Sequence, residues 1–171
     1  SAWWGAHREQ EPVLPVPSFD PAVTRIVHEP EAKDLLAEIG IPLPARETVP
    51  PFEAVEAASR IGYPVVVKAT GVAHKTEVGG VAVGLVDGDG VAQAADRLTR
   101  PSGETRLLVE EYVGEAVAEL LIDIRREPPV GWLLTLGSGG RLAEITADVV
   151  SLILPVGPAE VTEALQRLAV W

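Results

Sequence analysis

The sequence predicts an α+β chain folded as two small lobes. Helical spacings and alternating β-branched runs interleave up to about residue 113, after which strand-like segments follow one another and a single helix closes the chain. Prolines and glycines fall largely at the joints between these segments. Hydrophobic residues make up 47% of the 171, enough to fill a core and too many for a disordered chain. The lobes are expected over residues 29–112 and 113–171, behind an extended leader of residues 1–28.

The leader holds "EPVLPVPSFDPA", punctuated by proline and lacking any period. Its Trp3-Trp4 pair is either a docking anchor, an expression remnant, or the end of a preceding domain. "EPEAKDLLAEIG" predicts a helix with Pro30 in its first turn, Gly40 at its close, and Leu35, Leu36 and Ile39 on one face. "IPLPARETV" reads as extended. "PPFEAVEAASRIG" predicts a second helix with Phe52, Val55, Ala58 and Ile61 on its apolar side. Strands over 64–69 and 80–86 follow, separated by a long loop. "DGDG" predicts a turn, and "VAQAADRL" a short helix ending before Pro101. "RLLVEEYV" gives a strand over 106–113, and "VAELLIDIRR" and "GWLLTLGSGG" a strand pair joined at Pro128-Pro129. "AEITADVVSLILPV" supplies one or two more strands. The last stretch, "GPAEVTEALQRLAVW", is a helix opening at Pro158 with Val161, Leu165 and Leu168 on one face.

Composition removes several function classes. With no cysteine, disulfides and thiolate metal sites are excluded. No unbroken apolar run reaches the roughly 18 residues needed to cross a bilayer, and no secretory leader is visible, so no membrane partner and a cytoplasmic location are expected. Twenty-five acidic against 14 basic residues give a net charge of −11, which repels a nucleic-acid backbone. A small phosphate ligand responds to local charge and backbone N–H groups and stays open.

Between the strands at 64–69 and 80–86 lies a stretch far longer and more charged than a hairpin turn requires. Lys68 ends the run "YPVVVK" on what should be a well-covered strand, so its ammonium must snorkel to water or meet an anion. His74-Lys75 is either a solvated loop pair or a phosphate-handling one; a lone histidine is a poor metal ligand. Thr76 follows, and Gly79-Gly80 is either a plain turn or a backbone able to close around phosphate oxygens. No Walker loop occurs. Glu110-Glu111 fall near the lobe junction, as a strand-end acid pair or a ribose or adenine contact. Glu119 sits in an apolar run and needs either solvent or a partner. Together, a strand lysine, a His-Lys loop and a glycine pair bridging two strands suit a lid over a polyphosphate.

The blocks "HEPEAKDLLAEIGIPLPARETV", "AASRIGYPVVVKAT", "AHKTEVGGVAVGL", "VEEYV" and "AELLIDIRREPPVGWLLTLGSGGRLAEITADV" occur in the order seen in ADP-forming acyl-CoA synthetases. Over residues 29–169 the chain resembles their ATP-grasp portion, related to the β subunit of succinyl-CoA synthetase; "HKTEVGGV" is the most specific block. The resemblance implies an ATP-grasp fold of two lobes clasping ATP or ADP with Mg²⁺. It implies a reversible reaction of acid, CoA and ATP through an acyl phosphate and a phosphohistidine. It makes Lys68 the phosphate-contacting lysine and His74 to Gly80, with Lys75, Thr76 and Gly79, the mobile loop. Glu110, Glu111 and Val113 become the adenine-side hinge, Glu119 the ribose contact, and His74 a phosphoryl relay.

The chain also departs from the family pattern. Glu127 and Val130-Gly131 stand where aspartate and Phe-Gly are common, and Leu152 stands where an arginine commonly follows the aspartate, here Asp148. The segments that hold Mg²⁺ in the family are expected beyond Trp171, as are the CoA-binding and phosphohistidine domains, so the fold is expected to be incomplete and the isolated fragment inactive. Core surface exposed by such truncation favours self-association. The alternative to an enzyme portion is a non-catalytic ATP-grasp-like regulatory or docking module, for example beside an acyltransferase.

Overall fold

The computed structural model describes residues 25–70, 80–102, 106–114, 116–140 and 147–170. Two compact units divide them, one within Val23–Glu115 and one that includes Ala116–Trp171.

The first unit is a four-stranded antiparallel sheet with helices on it. Helix α1 spans Glu29–Glu38, β1 Arg46–Val49, and α2 Ala54–Ile61, the last preceded by a 3₁₀ turn at Pro51–Glu53. Then come β2 at Val65–Ala69, β3 at Val81–Leu85, α3 at Gly88–Ser102 and β4 at Leu107–Glu111. The strands lie in the order β1-β4-β2-β3, with Val66 opposite Glu110 and Lys68 opposite Leu108. Because side chains alternate along a strand, Val65, Val67, Ala69, Leu107 and Val109 share one face. That face is the core: Val65, Val67, Leu107 and Val109 are sealed against Ala54, Ala57 and Ala58 of α2 and Val91, Ala94, Ala95 and Leu98 of α3. Lys68 and Glu110 point to the other face.

Several local expectations change here. Gly40 does close α1, at φ +84, through a Schellman arrangement in which Gly40 N–H donates to Ala37 O (2.9 Å) and Ile41 N–H to Leu36 O (3.1 Å). The stripe Leu35, Leu36 and Ile39 stays exposed, and α1 buries none of its residues. The sealed side of α2 is Ala54, Ala57 and Ala58, with Val55 and Ile61 packed beside it, whereas Phe52 is 82% exposed. "DGDG" is not a free turn but the start of α3: the Asp87 carboxylate accepts the Gly90 N–H at 2.8 Å, the hydrogen bond of an N-cap. Nor does α3 stop before Pro101; it runs to Ser102.

The second unit is a three-stranded antiparallel sheet, β5 Leu120–Glu127, β6 Gly131–Ser138 and β7 Val149–Ile153, with α4 at Pro158–Leu165. The β5–β6 turn includes the cis peptide Pro128–Pro129. Glu160, three residues into α4, reaches back to accept the Gly157 N–H at 2.9 Å. Ala164 and Leu168 seal against Leu134 and Leu136, while Val161 and Leu165 pack at the edge of this cluster. Leu152 pairs with Leu134 and belongs to that apolar set, so a cation there would lie among aliphatic groups. No helix among the described residues is long and apolar enough to cross a membrane.

Candidate functional site

The covered strand lysine meets anions. Lys68 Nζ donates to Glu29 Oε1 at 2.6 Å and to Glu110 Oε2 at 2.9 Å. Lys33 Nζ donates to the other oxygen of Glu110 and lies 3.2 Å from Glu29 Oε1. Four charges thus alternate around a closed ring, two carboxylates and two ammonium groups. Each has a structural reason to be there. Lys68 and Glu110 sit on neighbouring strands two register positions apart and so on one face, and Glu29 and Lys33 stand four apart on α1, where side chains meet on one helix face.

The ring is unevenly buried. The Glu110 side chain is 6% exposed, Lys68 20% and Glu29 28%. Burial works to raise the Glu110 pKa, but the hydrogen bonds from Lys33 and Lys68 prevail and hold it below the ordinary carboxylate range. Burial likewise works against the charged form of Lys68, and the bonds to Glu29 and Glu110 outweigh it, raising its pKa. A depressed carboxylate contributes stability above its unfolded pKa of about 4.3 and loses it as pH falls through the folded value. The raised lysine contributes below about 10.4 and loses that contribution as pH rises through its folded value. Urea midpoints are therefore expected to stay level between these limits and to fall toward acid. The gap between the wild-type protein and Glu110→Gln should narrow as Glu110 takes up its proton. A gap that is constant from pH 7 to pH 3 would contradict this reading.

Other expected site residues fall as follows. Glu111 ends β4 and is exposed; its carboxylate accepts from Ala45 N–H at 3.3 Å, its own N–H donates to Ala45 O at 2.9 Å, and Tyr112 N–H donates to Pro64 O at 3.1 Å. Val113 is exposed beyond them. Gly80 is buried, and its carbonyl accepts the Ala69 N–H at 3.0 Å, extending the β2–β3 ladder by one pair. His74, Lys75, Thr76 and Gly79 lie outside the described residues. Glu119, in the second unit, sits over the Gly139-Gly140 bend: its carbonyl accepts the Gly139 N–H at 2.7 Å. Gly140 has φ +85, a conformation that favours glycine, and a Cβ there would meet Glu119 Oε2 at 2.6 Å and push that flexible carboxylate aside.

The residues that sequence reasoning missed are Glu29 and Lys33. Their spacing of four was visible, but as a charge pair on an ordinary solvated helix face. A second omission is the role of Asp148: Ser138 Oγ donates to its carboxylate, and Ala169 N–H does so at 2.8 Å, lowering its pKa. Among the described residues no group of three or more His, Asp or Glu side chains gathers so as to hold a metal ion, so no step is derived through Mg²⁺. An open recess of about 520 Å³ beside α1 is lined by Asp34, Arg46 and Thr48, and Lys68 is not among its walls.

The model of the ATP-grasp domain family matches residues 21–171. A trans-feruloyl-CoA synthase from an unknown prokaryotic organism is 34% identical over 95% of this chain and 24% of its own. The β subunit of an ADP-forming acetate–CoA ligase from Pyrococcus furiosus is 26% identical over 88% of this chain and 68% of its own. The chain thus spans about a quarter of the first relative and two thirds of the second. Among solved structures, the dinucleotide-forming acetyl-coenzyme A synthetase 1 of Ca. Korarchaeum cryptofilum, in complex with coenzyme A and Mg-AMPPCP, superposes with a TM-score of 0.69. It is 30% identical and covers 82% of this chain and 63% of that one. By the extent of the domain match, this chain belongs to the ATP-grasp domain family.

Proposed function

We propose that this chain is the nucleotide-binding ATP-grasp portion of an ADP-forming acyl-CoA synthetase, which joins an acid to CoA with conversion of ATP to ADP and phosphate. The observation that carries the reading is Lys68: an ammonium held at the end of β2, on the uncored face of the sheet, two residues before the segment that bears His74-Lys75. In a site of this type, fixed positive charge beside the transferring phosphoryl group is the main resource, and a lysine braced by two carboxylates is placed in advance. When bound, the nucleotide supplies the phosphoryl group that activates the acid.

In this reading Lys68 binds phosphate oxygens, and residues His74, Lys75, Thr76, Gly79 and Gly80 form the cover over them, with His74 as relay. Glu110, Glu111 and Val113 form the adenine side; the buried Glu110 carboxylate acts there chiefly by bracing Lys68. Glu119, beside Gly139-Gly140, takes the ribose. Mg²⁺ accompanies the nucleotide, CoA-binding and phosphohistidine domains or subunits complete the reaction, and the enzyme works in the cytoplasm. Titration calorimetry of ATP and ADP, with and without Mg²⁺, tests the nucleotide part directly. A saturable heat is expected; the absence of heat and of any thermal shift at millimolar nucleotide overturns it.

A further inference from the structure

The charge ring holds as many carboxylates as ammonium groups, so the phosphate-binding lysine is already neutralised by its own chain. A polyphosphate approaching a neutral ring gains little until one carboxylate withdraws. The two partners of Lys68 are not equivalent. Glu110 is nearly sealed, stands on the inner strand β4, and gives one oxygen to each lysine, whereas Glu29 meets both lysines through Oε1. Moving it would strand a buried charge, at high cost. Glu29 is more than four times as exposed, at 28% against 6%, and belongs to the first turn of a helix that buries none of its residues. Water can solvate it as soon as it lets go.

Resting on the nucleotide-binding reading, we infer that Glu29 is the exchangeable ligand of Lys68: a phosphate oxygen of the nucleotide takes its place on the ammonium, and the start of α1 is released when it does. Glu110 stays and keeps the lysine aimed. Lys33 remains on Glu110 and keeps α1 loosely moored. No covalent bond changes; one charge-assisted hydrogen bond, Lys68 Nζ to Glu29 Oε1, is exchanged for another to a phosphate oxygen. Helix α1 thus acts as a built-in competitor that sets how tightly the site holds phosphate and ejects weakly charged ligands.

The test is titration calorimetry of ATP into the 171-residue chain and its Glu29→Gln variant, with Lys68→Ala as the reference for loss of the site. Removing the competitor while keeping the side chain's shape is expected to tighten ATP about fivefold, the scale of one partly exposed charge pair. Amide hydrogen exchange on the wild-type chain is the second readout. Saturating ATP is expected to speed exchange over residues 33–38, because α1 has then lost its Glu29–Lys68 tie to the sheet and keeps Lys33–Glu110 and Asp34–Arg46; this holds even if Glu29→Gln fails to fold. If Lys68→Ala loses ATP while Glu29→Gln binds it no more tightly than wild type, the exchange is overturned and the nucleotide reading stands. Unchanged or slower exchange over 33–38 with ATP bound overturns it too. If neither the wild type nor Glu29→Gln binds ATP, both readings fall.

Discussion

Lys68→Ala is expected to weaken ATP binding by about ten- to a hundredfold, the worth of one or two hydrogen bonds to a charged group. His74→Ala is expected to cost less, because in the proposed arrangement His74 belongs to the cover and meets phosphate only when it closes, whereas Lys68 is fixed to the sheet. Lys68→Ala also removes the ammonium that lies between Glu29 and Glu110 and leaves Lys33 as the lysine they share. Stability should therefore fall by about 1–3 kcal/mol, below the figure for breaking a fully buried pair because Lys68 and Glu29 both keep some solvent. Calorimetry and urea melts on the two variants separate these effects. Equal affinity losses for Lys68→Ala and His74→Ala would contradict the assigned roles.

Leu107→Ala should be the most damaging of the core truncations, at about 3 kcal/mol within the usual 2–5 for burying and then deleting such a side chain. Leu107 is fully buried on the inner face of the sheet. Six of the thirteen members of that core cluster are alanines, which leaves Leu98 and Leu107 as its bulkiest side chains. A cavity there has few large neighbours able to lean in and fill it. Ile124→Ala, on a strand of the second unit where the side chain is 58% exposed, is the control and should move the midpoint little. Urea denaturation checks the pair, with the slope expected to hold and the midpoint to shift. A cost for Leu107→Ala no greater than for Ile124→Ala would show that the first unit's core does not carry its stability.

The order of helices and strands could be read from the chain because proline, glycine and β-branched residues act locally. Pro30 and Gly40 bracket α1, and Pro158 opens α4, by fixing or freeing single backbone angles. Motif order likewise pointed to the ATP-grasp family, which the domain match over residues 21–171 shows. What sequence left unread depends on approach between distant segments. Phe52 fits an apolar stripe by period, yet it belongs to the 3₁₀ turn Pro51–Glu53 ahead of α2 and is exposed, while α2 turns Ala54, Ala57 and Ala58 inward. Leu35, Leu36 and Ile39 form a helical stripe that stays exposed rather than entering the core. Asp87 looked like part of a turn because a cap and a turn use the same residues. The bond from Lys68 to Glu29 spans 39 positions, and no local pattern announces a partner at that separation.

The strict alternation along β2 has a consequence for how the first unit can assemble. Val65, Val67 and Ala69 enter the core while Lys68 leaves it. Were β2 to slide by one residue against β4, an ammonium would be driven in among Val91, Leu98 and Val109, and Val65 and Val67 would turn to the face that carries the charge ring. The lysine proposed to bind phosphate thus also works as a key cut for a single lock: misaligned sheets are rejected by its charge. A neutral residue at that position would remove this check on strand alignment, a burden on folding that no binding assay records.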